Sequence, residues 1–275
     1  MDFLNDILCI LDTRMQTPQP YGWFHLMWFA ISIIFSVYLC ATHKKGDDKR
    51  VRRVVFSVAI IVTILEIYKQ INYSFSYGDS INFDYQWYAF PWQFCSMPMY
   101  AGLLAGLIRK GRVHNALCAF LATYAIFAGI CVMIYPNDVF ISTIGINIQT
   151  MVCHGSMLPV GIYLLYSQYV KLEHKSIFPA MIVFSAFLGI AVLMNEIVYR
   201  TGISNGETFN MFFVSPHYPP SLPVYSSVQA AVAYPWSLVI YFAAFSAAAY
   251  IILLLGIMIK KINERISKRK TVVAL

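Results

Sequence analysis

Charged residues are scarce in this sequence. Asp, Glu, Lys and Arg make up 12% of the 275 residues, 59% are hydrophobic, and the mean hydropathy is +0.62. A soluble domain carries roughly 25% charged residues. This deficit excludes an ordinary soluble domain and indicates that lipid is the main solvent of the chain.

Other patterns are missing as well. There are no runs of about ten residues with alternating hydrophobicity, which a membrane β-barrel would need, and no internal repeat. A disulfide framework is not expected, because five of the six cysteines fall inside apolar segments. These five are Cys40, Cys95, Cys118, Cys131 and Cys153.

Seven segments are apolar over about 20 residues, the length that an α-helix needs to cross the hydrocarbon layer. They predict an all-α membrane protein, a single polytopic domain over residues 1–275 that forms a bundle of about seven transmembrane helices. The predicted spans are residues 21–41, 54–75, 91–108, 116–134, 146–169, 177–199 and 236–259.

The basic residues predict the orientation of the bundle. Of the 20 Lys and Arg residues, all but Arg14, Lys69 and Arg200 follow the first, third, fifth or seventh span. Because cytoplasmic loops are enriched in Lys and Arg, this side is predicted to be cytoplasmic. We expect a cell-membrane protein with its N-terminus outside and its C-terminus in the cytoplasm. The net charge of +7 is therefore not taken to indicate a nucleic-acid partner.

The longest loop, residues 200–235, is predicted to be external. Four prolines between residues 216 and 223 exclude a continuous helix there. A loop of this length is either a lid or binding element, or a surface loop without a role.

Polar side chains within apolar spans mark sites or satisfied structural pairs, because they are costly in lipid. The predicted orientation places most of them at one depth, and we expect a polar cavity in the outer half of the bilayer. Glu66 and Lys69 are spaced to form an ion pair, which either braces the bundle or belongs to the site. The predicted cavity residues are Glu66, Lys69, Gln70, Gln93, Asn147, Thr150, Asn195 and Glu196.

Cys95 and His154 are predicted to lie at this same depth. Cys95 follows Pro91, which suits a first helical position, so the helix dipole would favour the thiolate of Cys95. His154 would take the proton, and Pro159 would free the carbonyl of Gly155 and widen the cavity. Cys153 is expected to point about 100° away from His154.

The other histidines are not assigned to the site. His25 is interpreted as an interfacial anchor, and the rest are taken as solvated in loops: His43, His114, His174 and His217. No metal site and no cofactor is predicted, because a zinc site needs three or four converging ligands and only one histidine lies deep in a span.

The segment Phe90-Pro91-Trp92-Gln93-Phe94-Cys95-Ser96, followed by Cys153-His154-Gly155, resembles the YwaF-like family of bacterial membrane proteins. That family includes a vertebrate relative that is an ether-phospholipid acyltransferase. The resemblance implies that Cys95 is the acyl-accepting nucleophile and His154 its base. Gln93 stands where a histidine is frequent in the family, so the role of that histidine is not carried over, and neither is the lipid substrate.

Three functions are consistent with these features. The first is a lipid acyltransferase or transacylase acting on membrane phospholipid, or an acyl-ester hydrolase if water replaces the acceptor. The second is a small-solute or proton-coupled transporter or binding protein, with Glu66 and His154 as proton carriers. The third is a seven-helix sensor, although the short cytoplasmic loops leave little surface for a signalling partner, and no protein partner is indicated.

Overall fold

The computed structural model describes residues 2–44, 47–76, 80–136, 139–220 and 222–273. Lys45 and Ser221, which belong to the predicted basic and external loops, lie outside the described residues. The helices are α1 (Asp2–Leu11), α2 (Trp23–Ala41), α3 (Asp48–Asn72), α4 (Met97–Leu107), α5 (Arg112–Leu121), α6 (Tyr124–Ile134), α7 (Ile144–Tyr166), α8 (Ile177–Thr201), α9 (Pro223–Ala231) and α10 (Tyr234–Val273).

The predicted all-α membrane bundle is confirmed. Within the described residues, six helical segments are long and apolar enough to cross a membrane, and a seventh, Phe94–Leu107, is shorter. Each of the six overlaps one predicted span, and two helices extend furthest beyond their predicted bounds: α3 begins at Asp48 rather than at residue 54, and α10 ends at Val273 rather than at residue 259. Helices α5 and α6 together form one crossing that is interrupted at Thr123, where the backbone leaves helical geometry (φ −132°, ψ −74°).

The third segment differs most from the sequence-based expectation. Helix α4 has 11 residues, which corresponds to about 16 Å, or roughly half of the hydrocarbon thickness. The residues before it form a 3₁₀ turn, Phe94–Ser96, preceded by extended backbone at Gln93. Pro91 therefore does not open the helix as predicted; Pro98 occupies its first turn instead.

The end of the second predicted span is also different. Helix α3 stops at Asn72, and a short antiparallel hairpin follows, with β1 (Phe75–Ser76) paired to β2 (Asn82–Phe83). The side chains of Asn72 and Ser74 bond back to carbonyl oxygens of α3, those of Tyr68 and Gln70. Side chains of this kind offer backbone groups an alternative to helical bonding, which favours termination.

Helix α7 is the centre of the bundle and packs against α2, α3 and α6. Gly161 permits the close approach to α6, because a Cβ there would lie 2.3 Å from Cγ1 of Ile126. The carbonyl of Gly155, which Pro159 is predicted to free, accepts a hydrogen bond of 2.7 Å from the hydroxyl of Ser32 on α2.

The basic loops lie together at one face of the bundle, called here the basic face. Lys110 Nζ lies 2.6 Å from Asp48 Oδ2, and Arg52 donates to the carbonyl of Ile108 at 2.9 Å, so the start of α3 meets the end of α4. Lys260 of α10 donates to Gln168 after α7 at 3.4 Å. The alternation of crossings inferred from the Lys and Arg pattern is thus present in the fold.

Two histidines that the sequence assigns to the interface and to a solvated loop are buried instead. His25 is buried: its Nδ1 accepts from the backbone N–H of Tyr21, and its Nε2 donates to the carbonyl of Met133. His114 is also buried, with its Nδ1 at 2.9 Å from the carbonyl of Ala105. Each ring therefore links two different helices, α2 with α6 and α4 with α5. Residue spacing along one helix does not reveal such contacts between helices.

Candidate functional site

Glu66 is the centre of a buried polar cluster on α3. Its Oε1 lies 2.7 Å from Lys69 Nζ and accepts from Gln70 Nε2 at 2.8 Å. Its Oε2 accepts from Gln149 Nε2 of α7 at 2.9 Å. The predicted ion pair therefore forms, and three donors compensate the carboxylate for the loss of water.

The cluster continues toward the face opposite the basic face. Gln70 Nε2 also donates to the carbonyl of Ala89 at 2.9 Å, and its Oε1 accepts from the hydroxyl of Tyr85 at 2.7 Å. Burial raises the pKa of Tyr85 to about 12, so this hydroxyl stays protonated and serves as the donor. The chain before α4 is thereby fastened to α3.

Cys95 lies in the 3₁₀ turn that leads directly into α4, one residue before Ser96, the N-cap of that helix. The positive end of the helix dipole is therefore close to the thiol, as the sequence predicts, although the helix begins later than expected. Cys95 is half-buried. A helix N-terminus stabilises a thiolate.

His154 is buried on α7, and its Nδ1 lies 2.8 Å from the carbonyl oxygen of Thr150. A carbonyl only accepts, so the hydrogen-bond pattern assigns a ring hydrogen to Nδ1. In the neutral ring Nε2 then carries the lone pair, and in this tautomer the imidazole is a base.

Among the described residues, no hydrogen bond joins Cys95 to His154. Their segments are in contact through Cys153, whose Sγ lies 3.7 Å from the carbonyl oxygen of Cys95. Cys153, which the sequence predicts to point about 100° away from His154, therefore faces the Cys95 backbone.

Gln149 was not among the predicted cavity residues, although it belongs to the site. The signal that could have identified it is the carboxylate of Glu66, which has more acceptor capacity than Lys69 alone can satisfy.

Three predicted cavity residues have a different role: their amides clamp the backbone of loops. Asn195 Nδ2 donates to the carbonyl of Met211, and its Oδ1 accepts from the N–H of the same residue. Gln93 bonds in the same two-sided way to Asn210 and Phe212. Asn147 makes the corresponding pair of bonds to Ile141, close to the start of α7.

Glu196 also lies outside the cluster. It pairs with Arg200 at 2.5 Å and with His217 at 2.8 Å, and the ring of His217 stacks on Tyr199. Unlike the predicted solvated ring, His217 is thus fixed against the end of α8. Glu66, Lys69 and Gln70 gather with Gln149 near Cys95, while Glu196, Asn195, Gln93 and Asn147 serve the loops.

The segment after α8 is a plug rather than a free surface loop. Phe209, Met211, Phe212 and Val214 are fully buried, and the ring of Phe212 packs 5.9 Å from that of Phe94, the neighbour of Cys95. Phe212 adopts a positive φ of 58°, which is uncommon for a bulky residue and is maintained by the clamps from Gln93 and Asn195. The plug covers the site from the face opposite the basic face.

An open groove of about 790 Å³ lies between α3 and α4. Its lining includes Thr63, Glu66, Ile67, Gln70, Ile71, Ser74, Phe75, Phe83, Pro91, Met99, Tyr100 and Leu103. Most of these side chains are apolar, yet Glu66 and Gln70 of the polar cluster form part of the wall. The groove therefore joins the lipid-facing surface to the cluster.

Comparison with known proteins gives one result. A family model described as TMEM164 family matches residues 20–258. The chain belongs to the TMEM164 family. The match includes Cys95, His154, the polar cluster and the plug, and it supports a multi-pass membrane protein. No curated protein and no solved structure matches the chain.

Proposed function

We propose that this TMEM164-family chain is an integral-membrane lipid acyltransferase or transacylase, in which Cys95 is the nucleophile and His154 the base. The observation that carries the proposal is a half-buried thiol directly before α4 whose backbone is contacted from α7 by Cys153, the neighbour of His154 in the sequence. The resemblance of the two motifs to the YwaF-like family and its ether-phospholipid acyltransferase agrees with this proposal. In the proposed orientation, the site faces the outer leaflet of the cell membrane.

The groove between α3 and α4, called here the acyl groove, offers a path for the substrate. From Thr63 to Ile71 it follows α3 for about 12 Å, and Phe75 extends it further toward the end of the helix. One leaflet of the hydrocarbon layer is about 15 Å thick. An acyl chain of a phospholipid in that leaflet would fit along the groove, with its ester end near Glu66 and Gln70.

The proposed chemistry proceeds in two balanced steps. His154 Nε2 takes the thiol proton as Cys95 attacks the ester carbonyl; a carbon–sulfur bond forms, the carbon–oxygen bond breaks, and the lysolipid alkoxide leaves with that proton. A second lipid alcohol then gives its proton to His154 and attacks the thioester; a carbon–oxygen bond forms, the carbon–sulfur bond breaks, and the thiolate of Cys95 takes the proton from His154. Water in place of the alcohol makes the reaction a hydrolysis.

Two features of the site support these steps. The ammonium of Lys69 would stabilise the oxyanion of each tetrahedral intermediate. The thiol and the imidazole, unbonded at rest, would come together when substrate enters, since catalytic hydrogen bonds are often long before substrate binds. Thr150 keeps Nδ1 protonated throughout and so preserves the basic tautomer of His154.

The transporter hypothesis requires a polar route through the whole bundle. The small cavity next to Cys153 is lined mainly by apolar side chains, among them Val55, Ala59, Val62 and Val160. This lining is more consistent with chemistry in one half of the bundle than with passage of a polar solute.

The test is acyl transfer by purified protein in phospholipid vesicles, with an isotope-labelled acyl chain on the donor and a lysophospholipid acceptor. We expect Cys95→Ala to abolish transfer and His154→Gln to reduce it by about 10²–10⁴-fold, the usual contribution of a general base. Cys131→Ala is the matched control, because Cys131 is an exposed cysteine of α6, and it should retain activity. Normal transfer by a well-folded Cys95→Ala protein would reject the covalent route.

A further inference from the structure

A second groove, of about 730 Å³, lies at the face opposite the basic face, beside the end of α3. It is called here the polar groove, and its lining includes Asp12, Arg14, Asn72, Ser76, Gln86 and Thr143. These side chains carry a carboxylate, a guanidinium, two amides and two hydroxyls. The groove is therefore suited to a polar ligand.

Arg14 is held in a defined position in this groove. Its Nε and Nη2 both lie 3.2 Å from Oδ2 of Asp12, and Oδ1 of Asp12 accepts from the hydroxyl of Thr143 at 2.6 Å. The backbone of Arg14 also forms a bridge with Thr143, at the start of α7. The side chain of Arg14 is nevertheless 73% exposed, so its remaining N–H donors face outward.

The polar groove and the acyl groove adjoin each other at Phe75. Phe75 lines both of them, and the neighbouring residues of the chain divide between them: Asn72 and Tyr73 belong to the polar groove, Ile71 and Ser74 to the acyl groove. A polar compartment at the membrane surface thus adjoins an apolar compartment of about the length of one leaflet. A glycerophospholipid has the same arrangement of a polar head and an acyl chain.

The sequence makes Arg14 distinctive on this side of the bundle. Apart from Lys69 within the cluster, Arg14 and Arg200 are the only two of the 20 basic residues that do not belong to the basic loops and tail. Arg200 pairs with Glu196 at the end of α8 and is not part of the polar groove. Arg14 is therefore the cation available to a phosphate there, and guanidinium groups bind phosphate oxygens in bidentate fashion.

We propose that Arg14 binds the phosphodiester of a glycerophospholipid whose acyl chain occupies the acyl groove. This deepens the proposed function, since it takes a phospholipid as the substrate and adds a residue that recognises its head. Asp12 and Thr143 position the guanidinium, and the polar groove sets how far the ester lies from Cys95.

The test is equilibrium binding of two fluorescent lipids with identical acyl chains, a phosphatidylcholine and a diacylglycerol, to the purified full-length chain in detergent micelles. Binding is measured in the Cys95→Ala background, so that turnover plays no part. We expect Arg14→Glu to weaken binding of the phosphatidylcholine about tenfold and Arg14→Lys to weaken it less. Binding of the diacylglycerol, which lacks the phosphate, should not change.

Arg200→Glu is the matched control, because Arg200 is 75% exposed and also pairs with a carboxylate. It should leave binding of both lipids unchanged, and inorganic phosphate should not displace the phosphatidylcholine. If Arg14→Glu weakens neither lipid, or both equally, the proposal is wrong; displacement by inorganic phosphate would also overturn it, in favour of a free-anion site. Arg14→Gln repeats the test if the reversed charge prevents folding.

The outcomes separate this inference from the proposed function. Selective loss of phosphatidylcholine binding in Arg14→Glu, together with normal acyl transfer by Cys95→Ala, would retain the headgroup site and reject only the covalent chemistry. Loss of transfer in Cys95→Ala with unchanged phosphatidylcholine binding in Arg14→Glu would retain the covalent chemistry and reject only the headgroup site.

Discussion

Toward the basic face, the bundle consists of regular helices around fully buried apolar side chains such as Leu117, Leu164 and Leu253. Toward the opposite face, helices stop early and are replaced by a hairpin, 3₁₀ turns and a plug fastened by amide side chains. The polar cluster lies in this second half. The difference indicates that the half toward the basic face supplies stability, while the irregular segments of the opposite half position Cys95 and its neighbours.

Two ion pairs show the same contrast at the level of single contacts. Lys69 and Glu66 lie 2.7 Å apart, and Lys110 and Asp48 lie 2.6 Å apart. The first pair is nearly buried, with side-chain exposures of 16% and 7%, whereas the second has 53% and 56%. Although the N···O distances of the two ion pairs are nearly equal, the losses of folding free energy on their disruption should therefore differ widely.

The largest stability effect is expected for Glu66→Ala. It leaves the ammonium of Lys69 unpaired in a buried site, and loss of one partner of such a pair typically costs about 3–5 kcal/mol. The free energy of unfolding in detergent micelles would measure it. The double variant Glu66→Gln/Lys69→Met, which removes both charges, should recover most of the loss; a double variant as unstable as the single one would mean that the pair is not the cause.

Leu164→Ala tests the apolar half, and its effect should be comparable or somewhat smaller. Leu164 is fully buried at the end of α7, and removing such a side chain costs about 2–5 kcal/mol. Acyl transfer by the fraction that remains folded should be unchanged, because the substitution lies far from the cluster along α7. If Leu164→Ala reduces acyl transfer without reducing stability, the apolar half contributes to the site, and the assignment of stability to one half and catalysis to the other is wrong.

A smaller effect is expected for Asn195→Ala. The N–H and carbonyl of Met211 both lose their partner, and unsatisfied buried groups cost about 1–3 kcal/mol. Limited proteolysis should cut the segment 202–220 faster than in the parent chain. Asn82→Ala, at an exposed hairpin position, is the control and should leave the cleavage rate unchanged; equal rates in all three proteins would show that the plug does not depend on this clamp.

The smallest effect is expected for Asp48→Ala. Exposed salt bridges contribute about 0–1 kcal/mol, and this contribution should shrink further as salt is added. Unfolding measured at two salt concentrations checks both statements. A loss as large as that of Glu66→Ala would remove the basis of the comparison between the two pairs.

The membrane class and the all-α bundle could be predicted from hydropathy, because this property resides in the residues themselves. The clamps could not: Gln93 and Asn195 are polar residues in apolar spans like Gln70, and only the tertiary structure shows that their partners are backbone groups of the plug. The early end of α3 and the late start of α4 could not be predicted for a related reason. Phe75 lies in the hairpin and Phe94 in a 3₁₀ turn, but both are apolar, so hydropathy does not distinguish these segments from a helix.

Part of the polar cluster could be predicted, because the spacing of Glu66 and Lys69 along one helix indicates the ion pair that the structure contains. That Cys95 and His154 act together stays a prediction. The roles of Cys153 and Gln149 depend on the rotation of α7 about its axis, which the alternation of polar and apolar residues does not define on a helix that is buried almost all round.

The most direct test of the central claim is to look for an acyl chain on Cys95. Purified protein would be incubated with phospholipid, quenched with acid and digested, and the Cys95 peptide examined by mass spectrometry with and without hydroxylamine. We predict a hydroxylamine-sensitive acyl adduct on Cys95, absent in Cys95→Ala and more abundant when no acceptor lipid is supplied. Acyl transfer that proceeds with no adduct on Cys95, or with the adduct on Cys153 instead, would contradict the account.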